Sequence, residues 1–155
     1  MIELQWAITP RSLPTAQHCQ AWTEAVFART GRTGDLTLRI VSPEESRALN
    51  AQYRHRDAPT NVLSFPFELP QDIADALGAV YLGDLVICAQ VVEQEAIDQR
   101  KPLLAHWAHM VVHGALHLLG YDHLTDTQAM EMEGLEIDIL ADLGFANPYQ
   151  EIEDK

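Results

Sequence analysis

Apolar positions recur along this chain with two periods, and the switches between them mark out its elements. From Ile2 to Ile8 apolar and polar residues alternate loosely around Trp6, which predicts an opening strand. Pro14 and Thr15 start a helix to about Ala28, with Trp22, Val26 and Phe27 on its apolar face, and the turn at 31–34 (GRTG) ends it. Leu36, Leu38 and Ile40 alternate with Thr37, Arg39 and Val41 as in a half-buried strand. Ser42-Pro43-Glu44-Glu45 then opens a helix. Ser42 caps it, Pro43 fits its first turn, and Glu45 completes a capping box. That helix carries Leu49 and ends near Tyr53. A polar run from Asn50 to Asn61 leads into a short strand from Val62 to Phe67, and 68–79 reads as a loop with a weak helical turn.

The second half is more apolar. Tyr81 to Cys88 is a nearly continuous apolar run, the pattern of a central strand covered on both faces. Asp84 interrupts it and needs a hydrogen-bond partner, a histidine or a loop amide. A helix with an outer acidic face runs from Ala89 to Arg100. Pro102 opens the next one, whose apolar residues Trp107, Met110, Val111, Leu116 and Leu119 recur at helical spacing. Thr125-Asp126-Thr127-Gln128 is another capping box, and the helix behind it points Met130, Leu135, Ile139 and Leu140 inward until Gly144. Glu131, Glu133 and Glu136 read as its solvated face, and the polar tail from Asn147 as frayed. Four strands and about five helices predict one α+β domain over 1–155, a mixed sheet with a central histidine-bearing helix.

Composition adds limits. At 155 residues one domain is the simplest reading. Cys19 and Cys88 form no Cys-x-x-Cys pair and lie in apolar stretches, so both read as small core residues. The start MIELQWAITP lacks a signal-peptide pattern, and no apolar run approaches the roughly 18 residues of a membrane span. A cytoplasmic protein with no membrane partner is expected. The net charge of −13 argues against a nucleic-acid partner on charge alone, because phosphate binding rests on Lys and Arg. A local basic cleft would still bind, weakly and with strong salt dependence.

The chemistry concentrates between His106 and His123, which hold five of the seven histidines. His113 and His117 are four residues apart, so their rings share one helical face about 6 Å apart along the axis. Two rings so placed can close on one metal ion. His109 and His117 lie about 12 Å apart along a helix, too far to share that ion. His106 and His109 therefore read as core or supporting residues. Gly120 can end the helix in a left-handed cap, and His123 beyond the turn can swing back with a third nitrogen. Three neutral imidazoles leave a fourth position open, as catalytic rather than structural zinc sites do. In the polar run, Arg54 and Arg56 make the segment most suited to an anion, and Arg54 at the helix end is the better placed.

These residues carry two resemblances. His113-x3-His117-x5-His123 with Gly120 resembles the metzincin proteases, but those need a glutamate where this chain has Gly114, so the peptide-cleaving base is missing. The segments YRHRDAPTNVLSFPFE, LGDLVIC, HWAHMVVHGALHLLGYDH and LGFANPY together resemble the bacterial YbeY endoribonuclease family, in order and spacing over nearly the whole chain. That resemblance implies an α+β metal-dependent hydrolase cutting single-stranded RNA. It implies one Zn2+ per chain on His113, His117 and His123, and an activity role for Arg54. It also implies work on the 3′ end of 16S ribosomal RNA and in ribosome quality control, with ribosomal RNA, the small subunit and assembly proteins as partners rather than DNA. Asp84, Asp122, His55 and His109 are the candidates for general acid or base, and the nucleophile is either water or the RNA's own 2′-hydroxyl. Two rival readings are a zinc peptidase and a zinc-stabilised ribosome-assembly factor with little chemistry, whose acidic surface suits basic partners.

Overall fold

The computed structural model describes residues 2–67, 70, 72, 73, 76 and 81–150. In chain order these form β1 (Ile2–Trp6), α1 (Ala16–Thr30), β2 (Asp35–Val41), α2 (Pro43–Arg54), β3 (Val62–Pro66), β4 (Tyr81–Cys88), α3 (Ala89–Asp98), α4 (Leu103–Leu118) and α5 (Asp126–Asp142). The weak helical turn expected over 68–79 lies mostly outside the described residues. The strands form one mixed sheet in the order β1-β2-β4-β3. β1 and β4 run parallel to β2, while β3 pairs antiparallel with β4 and forms one edge of this sheet. No helix among the described residues is long and apolar enough to cross a membrane.

The alternation read from the sequence sorts the side chains between two faces. Leu36, Leu38 and Ile40 of β2 join Leu85 and Ile87 of β4 in the main core, under α1, α3, α4 and α5. Val86 and Cys88 of β4 turn to the other face, where Leu63, Val41 and the half-buried Leu49 of α2 cover them. From Leu85 to Cys88, β4 is thus buried on both sides, the reason its sequence is almost continuously apolar. Asp84 lies exposed on β4, and among the described residues its side-chain partner is the Tyr81 hydroxyl, neither a histidine nor a loop amide. Cys19 and Cys88 are both free and buried.

α4 is the hub, packed against α1, α3, α5, β3 and β4. Gly114 lets it come that close to the sheet. A Cβ there would stand 2.8 Å from Leu85 Cδ2 and 3.2 Å from Val62 Cγ2, against a fully buried leucine. Where a metzincin would carry its glutamate, even a methyl group on this chain would force the Leu85 side chain to move. Gly114→Ala should therefore lower the stability by about 1–3 kcal/mol through overpacking, read as a fall in melting temperature, with no change if the helix can lift off the sheet freely.

Three details depart from the sequence reading. Ser42 does cap α2 by accepting from the Glu45 N–H, but the Glu45 side chain pairs with Arg39 at 2.7 Å and does not close a capping box. On α5 the buried stripe runs Met132, Glu136, Ile139 and Leu140, while Met130 is 74% exposed. Met130 sits two residues from Met132, about 200° round the helix, so both cannot face the core. The segment after Asn147 is tied down as far as Gln150, because Lys101 Nζ donates to the Pro148 carbonyl at 2.7 Å and the Tyr149 hydroxyl reaches Glu136.

Candidate metal centre and active-site groove

α4 delivers His113 and His117 on one face, and the chain then reverses tightly. Gly120 has φ +99°, its N–H bonds the His117 carbonyl, and the Tyr121 N–H returns to the Leu116 carbonyl at 3.1 Å. An L side chain rarely adopts that φ, which is the local reason for glycine there. The returning strand of chain is steadied when Asp122 Oδ1 accepts from the His123 N–H at 2.8 Å. The His123 ring then lies 5.1 Å from that of His117 and 6.0 Å from that of His113.

The donor set suits a divalent ion. His113 Nε2 and His117 Nε2 stand 3.1 Å apart, close to the roughly 3.3 Å between two nitrogens that share a tetrahedral zinc. One nitrogen from each of the three histidines lies within 4.8 Å of the others. Burial, and then the neighbouring His113 and His123, hold the His117 pKa below the usual histidine value and favour the neutral ring that metal binding requires. His113 is fixed from behind, because its Nδ1 lies 2.5 Å from Glu136 Oε1. Burial would push the Glu136 carboxyl up. Hydrogen bonds from His109, from His113 and from the Tyr149 hydroxyl outweigh it and hold the pKa below the usual carboxylate range. An ionised carboxylate only accepts, so His113 donates through Nδ1 and turns a lone pair on Nε2 toward the other two rings. His109 Nε2 makes a second bond to Glu136 at 3.0 Å. His109, His113 and Glu136 also gather potential ligand atoms, but His109 and Glu136 are buried and hydrogen bonds account for that grouping.

The three histidines open onto a groove of about 870 Å3 that is also lined by Arg54, Arg56 and Ser64. α2 ends with His55 in the left-handed region, φ 58°, which turns the chain so that Arg54 before it and Arg56 after it face the same groove. The loop is then fastened onto α2. Buried Ser46 exchanges two hydrogen bonds with the Thr60 backbone at 2.9 and 3.1 Å, and buried Asn50 donates to the Ala58 carbonyl at 2.8 Å. Ser46→Ala should cost about 1–3 kcal/mol by leaving the Thr60 amide unpaired, seen as a lower denaturation midpoint; an unchanged midpoint would show that water replaces the hydroxyl.

Arg54 and Arg56 are electrostatically available. Arg11, Arg29, Arg39 and Arg47 are tied to carboxylates at 2.6–3.0 Å, whereas neither groove arginine has such a partner among the described residues. So the −13 chain places beside its candidate metal centre two guanidinium groups that have no carboxylate partner among the described residues.

Of the four acid–base candidates, only Asp122 lines the groove. Asp84 lies exposed beside Tyr81, His55 caps α2, and His109 is buried behind His113. His106 is also buried and bonds Glu95 at 3.0 Å, which in turn takes Asn61, a residue at the mouth of β3. Around the site, the residue the sequence reading misplaced is Glu136, expected in solvent and found 0% exposed. Glu131 and Glu133 are exposed as expected. The signal was its spacing, four after Met132 and three before Ile139, on the apolar stripe of α5.

Known proteins share both sequence and fold. The family model for endoribonuclease YbeY matches residues 9–144. A protein named endoribonuclease YbeY from Alcanivorax borkumensis is 53% identical over 149 residues, covering 96% of this chain and 85% of its own length. Another from Colwellia psychrerythraea is 51% identical over 155 residues, covering 97% of each. A Thermotoga maritima protein solved in solution shares the fold, with a TM-score of 0.59 at 24% identity over 97% of this chain and 99% of its own. With the family match spanning most of the sequence and two relatives above half identity along nearly its full length, this chain belongs to the YbeY endoribonuclease family.

Proposed function

We propose that the chain is a zinc-dependent endoribonuclease specific for single strands, one hydrolase domain over 1–155. In this reading it acts in the cytoplasm on the 3′ end of 16S ribosomal RNA and in ribosome quality control, with ribosomal RNA, the small subunit and its assembly proteins as partners, not DNA. The observation that carries the reading is the meeting of His113, His117 and His123 with Arg54 in one groove. The groove, about 870 Å3, is large enough to take a few nucleotides beside the histidines.

His113, His117 and His123 would hold the ion, one ring nitrogen from each. A bound zinc ion there supplies Lewis acidity toward a phosphate oxygen and acidifies water. Arg54 donates N–H bonds to a non-bridging phosphate oxygen and steadies the charge that grows on it. Arg56 adds a second cation to the same wall. Gly114, with no carboxylate, weighs against the peptidase reading.

The test uses metal-analysed protein free of contaminating nuclease, given single-stranded and duplex RNA of one sequence and a small-subunit precursor carrying an extended 16S 3′ end. Cleavage of the single strand and trimming of the precursor, with the duplex left whole, is the expected result. Zinc retention and subunit binding without any cleavage would select the assembly-factor reading. Salt dependence gives a further prediction. Two phosphate contacts, from Arg54 and Arg56, give a slope of log binding constant on log salt of about −1.4 for single-stranded RNA. A much steeper slope measured by fluorescence anisotropy would place the RNA on surfaces outside the groove.

A further inference from the structure

We propose that Glu136 is a positioning residue for the metal ligand His113, and that Tyr149 of the C-terminal segment acts on the metal centre through it. The inference rests on the proposed ligand role of His113 and extends that reading to two residues outside the groove.

Glu136 has no place in a helix interior facing the core unless something holds it there. It is 0% exposed among Met132, Ile139 and Leu140. A buried carboxylate without partners is strongly unfavourable, and this one has three. Oε1 lies 2.5 Å from His113 Nδ1, and Oε2 takes His109 Nε2 at 3.0 Å together with the Tyr149 hydroxyl. The three partners come from α4 and from the chain beyond α5, so the carboxylate joins the metal-bearing helix to the C-terminal segment. Lys101 anchors that segment through the Pro148 carbonyl at 2.7 Å.

The consequence falls on His113. Its ring can rotate about two side-chain bonds and can carry its proton on either nitrogen. The Glu136 bond selects one rotation and one tautomer, leaving Nε2 unprotonated and directed at His117 Nε2, 3.1 Å away. Ligating histidines held by a carboxylate in this way bind metal more tightly, because the ring is pre-aimed and more basic, and losing such a support typically costs about 10–100-fold in affinity. Tyr149, 43% exposed and well outside the groove, fixes one oxygen of that carboxylate. Its removal should be felt at the metal even though it touches no ligand.

The experiment compares the wild-type chain with Glu136→Gln, Tyr149→Phe and His113→Ala. The Zn2+ dissociation constant is measured by chelator competition, the visible spectrum is recorded with Co2+ in place of zinc, and folding is followed by circular dichroism. Glu136→Gln should weaken zinc binding about 10–100-fold and shift the Co2+ bands. Tyr149→Phe should weaken it by roughly two- to fivefold with the fold intact, because one of three supports of the carboxylate is lost. A purely structural role would lower the melting temperature and leave affinity and spectrum alone. If both variants fold and bind zinc as the wild type does while His113→Ala loses it, the positioning role is overturned and the ligand assignment stands. If His113→Ala keeps a full zinc complement, the ligand assignment falls and this inference with it. Should Glu136→Gln not fold, Tyr149→Phe decides alone.

Discussion

His117→Ala protein is expected to purify with little zinc and to cleave single-stranded RNA at no more than about a hundredth of the wild-type rate. Ligand count sets the size of the effect. A full four-ligand structural zinc site is worth about 10–16 kcal/mol, so one ligand of the four carries roughly 2.5–4 kcal/mol, about a hundred- to a thousandfold in affinity. His117 sits in the last turn of α4, half-buried at the groove, and its backbone bond to Gly120 does not depend on the ring. The metal-free variant should therefore melt close to the metal-free wild type, which separates loss of metal from loss of fold. One zinc per chain in the variant would remove His117 from the ligand set.

Arg54→Ala should give the opposite combination, wild-type zinc with turnover lowered roughly a hundred- to thousandfold, the range for removing one donor to a developing oxyanion. Arg54 is exposed and has no carboxylate partner among the described residues, so neither fold nor metal content has reason to change. Arg54→Lys should restore only part of the rate. Lysine keeps the charge but loses the planar fork that grips two oxygens at once. A wild-type rate in the alanine variant would assign the anion contact to Arg56 alone.

The two predictions draw on parts of the molecule that were unequally legible in the sequence. The pair His113 and His117 and the turn at Gly120 were readable because helical spacing and a left-handed cap are local properties. The strands were readable for the same reason. Alternation at Leu36, Leu38 and Ile40 fixed one face, and the unbroken run at 85–88 signalled cover on both. Glu136 was misread because a carboxylate's burial depends on partners elsewhere, here histidines 23 and 27 residues away in sequence. Ser46 and Asn50 gave no signal either. Their work is to fasten the Arg54–Asn61 loop, and that contact exists only once α2 lies on the sheet. The sequence shows that Gly114 stands where a glutamate would be needed; the reason for its smallness, the approach of α4 to Leu85 and Val62, exists only in the packed structure.

If three imidazoles hold one solvent-accessible ion beside Arg54, the coordination shell itself will show it. X-ray absorption at the zinc edge of the loaded protein should find one zinc per chain with three imidazole nitrogens at about 2.0–2.1 Å and a fourth, non-protein oxygen. A shell containing sulfur, a protein carboxylate or a fourth imidazole would close the site to substrate and contradict this arrangement.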